Sequence, residues 1–224
     1  MGYYIDLERV SIDDYKTMLK TADLIPSWRV VQDHLDEHLD MVKQHNIQNV
    51  AELKKALKTT GHVQKFSQQS GLPEPYVAVL RRVTNAYHPK PNRIRDFPCL
   101  AEEIVVKLNA VGIKNTLQLY PEIVTAKKRN ELAERTGIDP QDIMTLTKLT
   151  DLSRIRWVNH TFASVLLEAG YDTAKKVAQA DYHDLYDTIR QLNTERALYK
   201  GNIGAHDMKL CVEAAQILDF DITY

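Results

Sequence analysis

FSQQSGLPEPYVAVLRRV, residues 66–83, and LAERTGIDPQDIMTLTKL, residues 132–149, decide how this chain is read. Phe66, Ser70-Gly71-Leu72, Val77, Leu80 and Val83 recur as Leu132, Thr136-Gly137-Ile138, Ile143, Leu146 and Leu149, in step at a period of 66 residues. Upstream, Ile47, Val50 and Leu53 recur as Ile113, Thr116 and Leu119. Core-type and turn-type positions return while the surface residues between them differ. Two copies of one folded unit produce that pattern, and the period is longer than that of common solenoid repeats. A diverged third copy follows. Val158, Phe162, Leu166, Gly170 and Tyr171 answer Leu100, Ile104, Leu108, Gly112 and Ile113, at an offset of 58.

Helix signals dominate these segments. Ser11 with Asp14 resembles a capping box, Asn49 with Glu52 an N-cap, and Asp139-Pro140 with Asp142 a helix start. Pro26-Ser27 is expected to open a helix carrying Val31, Leu35, Leu39 and Val42 at helical spacing, and Pro73 to sit in the first turn of the next long one. Gly112 reads as a helix-ending glycine. Strand periodicity is nearly absent, so the expected class is all-α. Pro89, Pro91 and Pro98 mark the main break. The expected organisation is an N-terminal helical unit over 1–90, a second unit over 91–152 and the diverged third over 153–224.

Hydrophobic residues make up 44% and charged residues 26% of 224, as in ordinary globular chains. A formal charge of −1 removes the global basic footprint of many nucleic-acid binders, so such binding requires a local patch. Cys99 and Cys211 have neither the number nor the spacing of a disulfide framework or zinc site. No apolar run reaches the ~20 residues of a membrane span. No basic-then-apolar leader is visible, and Asp6 stands where a Met1-Gly2 myristoylation signal wants Ser or Thr. The expectation is a reduced cytoplasmic protein without cofactor.

Two phrases carry a family resemblance: Phe97-Pro98-Cys99-Leu100-Ala101 running to Gly112-Ile113, and Ile155-Arg156-Trp157-Val158-Asn159 running to Gly170-Tyr171. Each reads as a hairpin, then a helix ending at Gly. They resemble the helix-hairpin-helix superfamily. More narrowly, Asp151 to Ile155 followed by Leu166-Leu167-Glu168-Ala169-Gly170 is similar to the uncharacterised family catalogued as domain of unknown function 4332. The resemblance implies tandem, degenerate helix-hairpin-helix units and, by analogy, DNA binding. The superfamily's hairpin carries Gly-hydrophobic-Gly, which lets backbone N–H groups approach a phosphate. Here the hairpin positions are Cys99-Leu100-Ala101 and Trp157-Val158-Asn159. A β-carbon at each disfavours φ > 0 and crowds that contact. Leu100 and Val158 still supply the buried hydrophobe.

Three candidate sites follow. Arg81, Arg82, Lys90, Arg93 and Arg95 form a basic run without an acidic residue, with Tyr87 and His88 as stacking groups and Arg154 and Arg156 as an extension. Such a run suits nucleic-acid phosphates; a solvated linker and a helix end are the plainer account. Trp157, with Asn159 and His160, either packs on a neighbouring repeat or anchors a partner. His34, Glu37 and His38 match the H-x-x-E-H pattern of one class of zinc peptidases, against a solvated acidic helix face with Asp33, Asp36 and Asp40. Residues 1–53 carry an excess of carboxylates, consistent with internal compensation of the basic run or with self-association. The expected function is non-enzymatic binding, of nucleic acid through the basic patch or of a protein partner by a scaffold that has lost its phosphate hairpin. A zinc hydrolase is the remote third reading.

Overall fold

The computed structural model describes residues 2–224. Met1, part of the Met1-Gly2 start, lies outside the described residues. The described chain is all-α, and its only β-type pairings are two isolated bridges. It divides into two compact units, Asp6–His88 and the stretch Pro89–Tyr224 joined by residues 2–5. The two units meet in sequence between His88 and Pro89, beside the proline-rich stretch. Residues 91–152 and 153–224, expected as separate units, share one hydrophobic core running from Ile94 to Ile222, which also includes Tyr3.

The N-terminal unit holds α1 (Ile12–Thr21), a 3-10 segment (Pro26–Gln32), α2 (Leu35–Gln44), α3 (Val50–Ala56), α4 (Thr60–Ser70) and α5 (Glu74–Ala86). Ser11 and Asp14 cap α1 reciprocally, and Asn49 accepts from Glu52 N. The helix expected to run from Pro26 through Val42 is broken instead. Asp33 is extended and His34 adopts φ +49°, so a 3-10 turn precedes α2. The physical reason lies at the end of α1: Gln32 donates its amide to Leu19 O and Ala22 O, satisfying carbonyls that the helix end leaves without partners. Val31 and Leu35 both remain buried across the break. Pro73 proves to be the N-cap of α5, with Pro75 inside its first turn.

The C-terminal unit holds a 3-10 turn (Ile94–Asp96), α6 (Glu102–Ala110), α7 (Thr116–Leu119), a second 3-10 turn (Tyr120–Glu122), α8 (Ala126–Thr136), α9 (Pro140–Leu152), α10 (His160–Glu168), α11 (Ala174–Ala178), α12 (Tyr182–Arg196) and α13 (Ala205–Gln216). Helices α8 and α10 pack on α9, while α11 and α12 pack on α13. Each buried Leu or Ile contributes about 1.5–3 kcal/mol.

The same local hydrogen bonds occur in both units. Ile12 N donates to Gln48 O and Val50 N to Val10 O; Ile94 N donates to Lys114 O and Thr116 N to Asn92 O. These close the bridges Ser11–Asn49 and Arg93–Asn115. Glu52 accepts from Gln48 N as Gln118 accepts from Lys114 N. Thr59 and Thr125 cap α4 and α8, and left-handed Gly71 and Gly137 end them. Helices α5 and α9 each run 13 residues.

Candidate functional site

The Arg93–Asn115 bridge builds a polar concavity of the C-terminal unit. Ile94 is buried, which turns Arg93 and Arg95 on either side of it outward to solvent. Opposite them, the chain leaving α6 through left-handed Gly112 presents Lys114 and Asn115. Asn115 uses its side-chain oxygen to accept from Gln118 N at 3.0 Å, capping α7. The resulting groove, about 710 Å³, is lined by Arg93, Arg95, Asn109, Lys114 and Asn115. Three cations and two amides line it and no carboxylate does. The counter-charge paired with it is Asp96, 3.6 Å from Arg95 Nε on an exposed pair, a contact of little energetic weight. Such a set of donors recognises phosphate, sulfate or carboxylate oxygens.

Asn92 ties this groove to the turn between α9 and α10. Its backbone N–H donates to Thr116 Oγ1 at 3.1 Å. Its side-chain amide donates to Ser153 Oγ at 2.9 Å and to Val158 O at 3.3 Å. In that turn Val158 is buried, as expected, whereas Trp157 stands 41% exposed with the Arg156 guanidinium 4.0 Å from its ring centroid. Trp157 also takes φ +72°, so its β-carbon has not kept the turn out of the left-handed region. That corrects the expectation from side-chain sterics. Cys99, its counterpart in the first phrase, does not adopt positive φ. Asn159 caps α10 by accepting from Phe162 N, and the His160 ring lies 6.5 Å from that of Phe97.

Arg154 is not a surface residue. It is 2% exposed, and every nitrogen of its guanidinium is engaged. Nε donates to Tyr3 O, Nη1 to Asp151 Oδ1 at 2.9 Å and Nη2 to Asp219 O at 2.7 Å. Asp221 lies 3.4 Å from Nη1 and accepts from Tyr120 OH at 2.5 Å. Asp151 also accepts from Ala174 N and Tyr224 OH. The pairing follows from burial: a guanidinium inside a core is tolerable only with carboxylates and carbonyls around it. It fastens residues 3 and 219–224 to the end of α9, and burial pushes the Tyr3 and Tyr120 phenols well above their ordinary range. A neighbouring hollow of about 550 Å³ is lined by Tyr3, Leu117, Tyr120, Pro121, Val124, Thr125 and Asp221 among others, and its carboxylate, Asp221, is already committed to this network.

The basic run is divided between the units. Arg81, which donates to Lys58 O, and exposed Arg82 lie on α5 of the N-terminal unit; Lys90, Arg93 and Arg95 belong to the C-terminal one. Tyr87 is buried, edge-on to Tyr15, so it is no stacking platform. His88 Nδ1 lies 2.8 Å from Lys54 Nζ. Among the described residues no cluster of His, Cys, Asp and Glu converges to hold a metal. His34 is exposed and faces Glu37, while His38 packs on Tyr76 at 4.1 Å, and burial lowers its pKa. Cys99 is exposed beside Ser164; Leu100 is half-buried, and Ala101 precedes α6 without a side-chain cap. Burial pushes the Cys211 thiol up to about 12, which suits a core residue and not a nucleophile. Among the described residues no helix is long and apolar enough to cross a membrane.

Residues 98–218, just over half of the chain, match the model of a family described as domain of unknown function (DUF4332). The chain belongs to that family. No curated protein and no solved structure matches it. The DUF4332 segment contains Asn109, Lys114, Asn115 and the Trp157 turn, whereas Arg93 and Arg95 lie ahead of it. Sequence reasoning reached Arg93 and Arg95 but missed Asn92, Asn109, Lys114 and Asn115. Their only signal is the Asn115 cap, since the bridge that gathers them joins segments some twenty residues apart.

Proposed function

We infer that this DUF4332 protein is a non-enzymatic binding module of the cytoplasm, and that its C-terminal unit binds nucleic acid through the groove of Arg93, Arg95 and Lys114. The observation that carries this reading is a concavity lined by three cations and two amides without a carboxylate. Guanidinium, ammonium and amide groups are donors suited to holding an anion, which supports recognition as the groove's role. Its backbone is fixed by the Arg93–Asn115 bridge, which limits the ordering cost of binding. The architecture is read as tandem, degenerate helix-hairpin-helix units, supported by the hydrogen bonds that recur 66 residues apart, Thr59/Thr125 and Gly71/Gly137 among them. The fold analogy adds DNA to the ligands worth testing, and only by analogy.

The test is binding of the purified protein to short single- and double-stranded DNA and to RNA, at low and at physiological salt. Salt-sensitive binding that disappears when Arg93, Arg95 and Lys114 are replaced by Glu is the expected result. Absence of binding at low salt, or binding indifferent to the triple replacement, overturns the assignment and redirects the search to a protein partner.

A further inference from the structure

The turn beside the groove adds a kind of contact that phosphates do not use. Trp157 is the larger of the two groups at its tip, and its ring is ordered on one side by Arg156 while two-fifths of the residue stays open to solvent. An indole here is held at φ +72°, a conformation that glycine adopts without strain and a β-carbon does not. The turn is also rigid. Val158 is buried, Asn159 caps α10, and Asn92 grips both Ser153 and Val158 O.

Asn92 is the residue immediately before Arg93, and Val158 the one immediately after Trp157. Summing the bonded and hydrogen-bonded steps between them places the Cα atoms of Arg93 and Trp157 no more than about 17 Å apart. Even at the 3.4 Å rise of a duplex strand, about five nucleotides cover that span. A groove of cations and an exposed aromatic ring at that separation, on one rigid frame, fit a backbone and its unpaired bases together. In a duplex the base faces are already stacked on one another and inaccessible to a side chain; in a single strand they are not.

Resting on the groove reading above, we propose that the C-terminal unit binds single-stranded nucleic acid, with phosphates on Arg93, Arg95 and Lys114 and a base stacked on the Trp157 indole. Asn92 is a positioning residue that sets the distance between the two. The Arg156 guanidinium on the ring adds a cationic edge that favours the same ligand. No base edge is read, so binding is tolerant of sequence.

The experiment uses the full chain with three probes: a 15-nucleotide oligo(dT), a duplex of equal length, and inorganic polyphosphate, which has charge but no bases. The parent protein is expected to bind oligo(dT) more tightly than the duplex. Trp157→Ala is expected to weaken oligo(dT) binding by roughly 5- to 150-fold, the span of one base–aromatic stack, while leaving polyphosphate binding unchanged. Trp157→Phe restores most of it. The chain has two tryptophans, so in a Trp28→Phe background the remaining indole reports directly, and its fluorescence is quenched by oligo(dT) and not by polyphosphate. Equal oligo(dT) affinity of Trp157→Ala and parent, with Lys114→Glu still weakening all probes, overturns the stack and leaves the groove standing. Indifference of every probe to Lys114→Glu overturns both.

Discussion

The two units build the same bridge and do opposite things with the residues around it. In the N-terminal unit the bridge is Ser11–Asn49, and in the C-terminal unit Arg93–Asn115. Two residues past the bridging position stand Asp13 and Arg95; six before the capping Asn stand Lys43 and Asn109. In the first case Lys43 Nζ lies 2.7 Å from Asp13 Oδ2, and the site is closed by its own ion pair. In the second, an arginine faces an amide across an open groove. Nearby, Lys16 and Lys20 are likewise spent on Asp40 and Asp36. The backbone therefore supplies a place for charge, and the side chains decide whether that charge is used internally or left for a ligand. Part of the acidic excess of residues 1–53 is paired with lysines of its own unit.

The largest expected effect concerns what anchors each unit. Arg154→Ala leaves Asp151 and Asp221 buried without their cation and is expected to cost about 3–5 kcal/mol. His88, sixty-six residues earlier, contacts Lys54 in a half-buried setting, and His88→Ala is expected to cost only about 1 kcal/mol. Urea unfolding of the two variants measures the difference, and equal losses would break the comparison. For the same reason Arg154 is unsuitable as a test of binding.

Next comes the groove. Replacing both Arg95 and Lys114 with Glu is expected to reduce the salt slope of single-strand binding by at least about 1.4, which is roughly 0.7 for each phosphate that is no longer neutralised. The reciprocal change, Asp13→Arg, frees Lys43 and is expected to add measurable polyanion binding to the N-terminal unit. Titration against polyphosphate checks both, and an Asp13→Arg variant that binds no better than the parent would show that the shared bridge does not by itself make a site.

A smaller effect separates the two turns. At Trp157, with φ +72°, Gly is expected to be more stable than Ala by about 1 kcal/mol. At Cys99, which does not adopt positive φ, the order reverses, with Gly the less stable by roughly 0.5–1 kcal/mol. Thermal melts of the four variants decide it.

The smallest is a pH effect. Lys43 holds the Asp13 carboxyl below its ordinary 3.8 by hydrogen bonding and charge. A carboxylate with a depressed folded-state pKa adds stability above its unfolded value, and that stability is lost as pH falls below 3.8 through the folded value. NMR titration of Asp13 should show the depression disappear in Lys43→Met. The effect is slight because the pair is exposed.

Much of the fold was legible because its causes are local. Ser11, Asn49 and Asp139 cap helices where their side-chain oxygens reach the N–H groups two or three residues on. Gly112 and Gly170 end helices because they adopt positive φ freely. The hydrophobic spacing failed once, between Val31 and Leu35. Val31 and Leu35 fit a continuous helix and a broken one equally well, and Gln32 chose the break by reaching carbonyls at the end of α1. Of the candidate binding residues, Arg93 and Arg95 were found because they are close in sequence. Lys114 and Asn109 were not, because only the bridge brings them there.

By itself the sequence determined the all-α class, the helix caps and the positions that recur every 66 residues, all of them set by neighbours along the chain or by burial pattern. Only the tertiary structure decided which charges face water. Arg154 and Arg95 are the same residue type in similar local company, and one closes a buried network while the other lines a groove. That difference comes from partners at residues 3, 219 and 221 in one case and from groove-lining neighbours at 109 and 114 in the other, distances along the chain that no local rule spans.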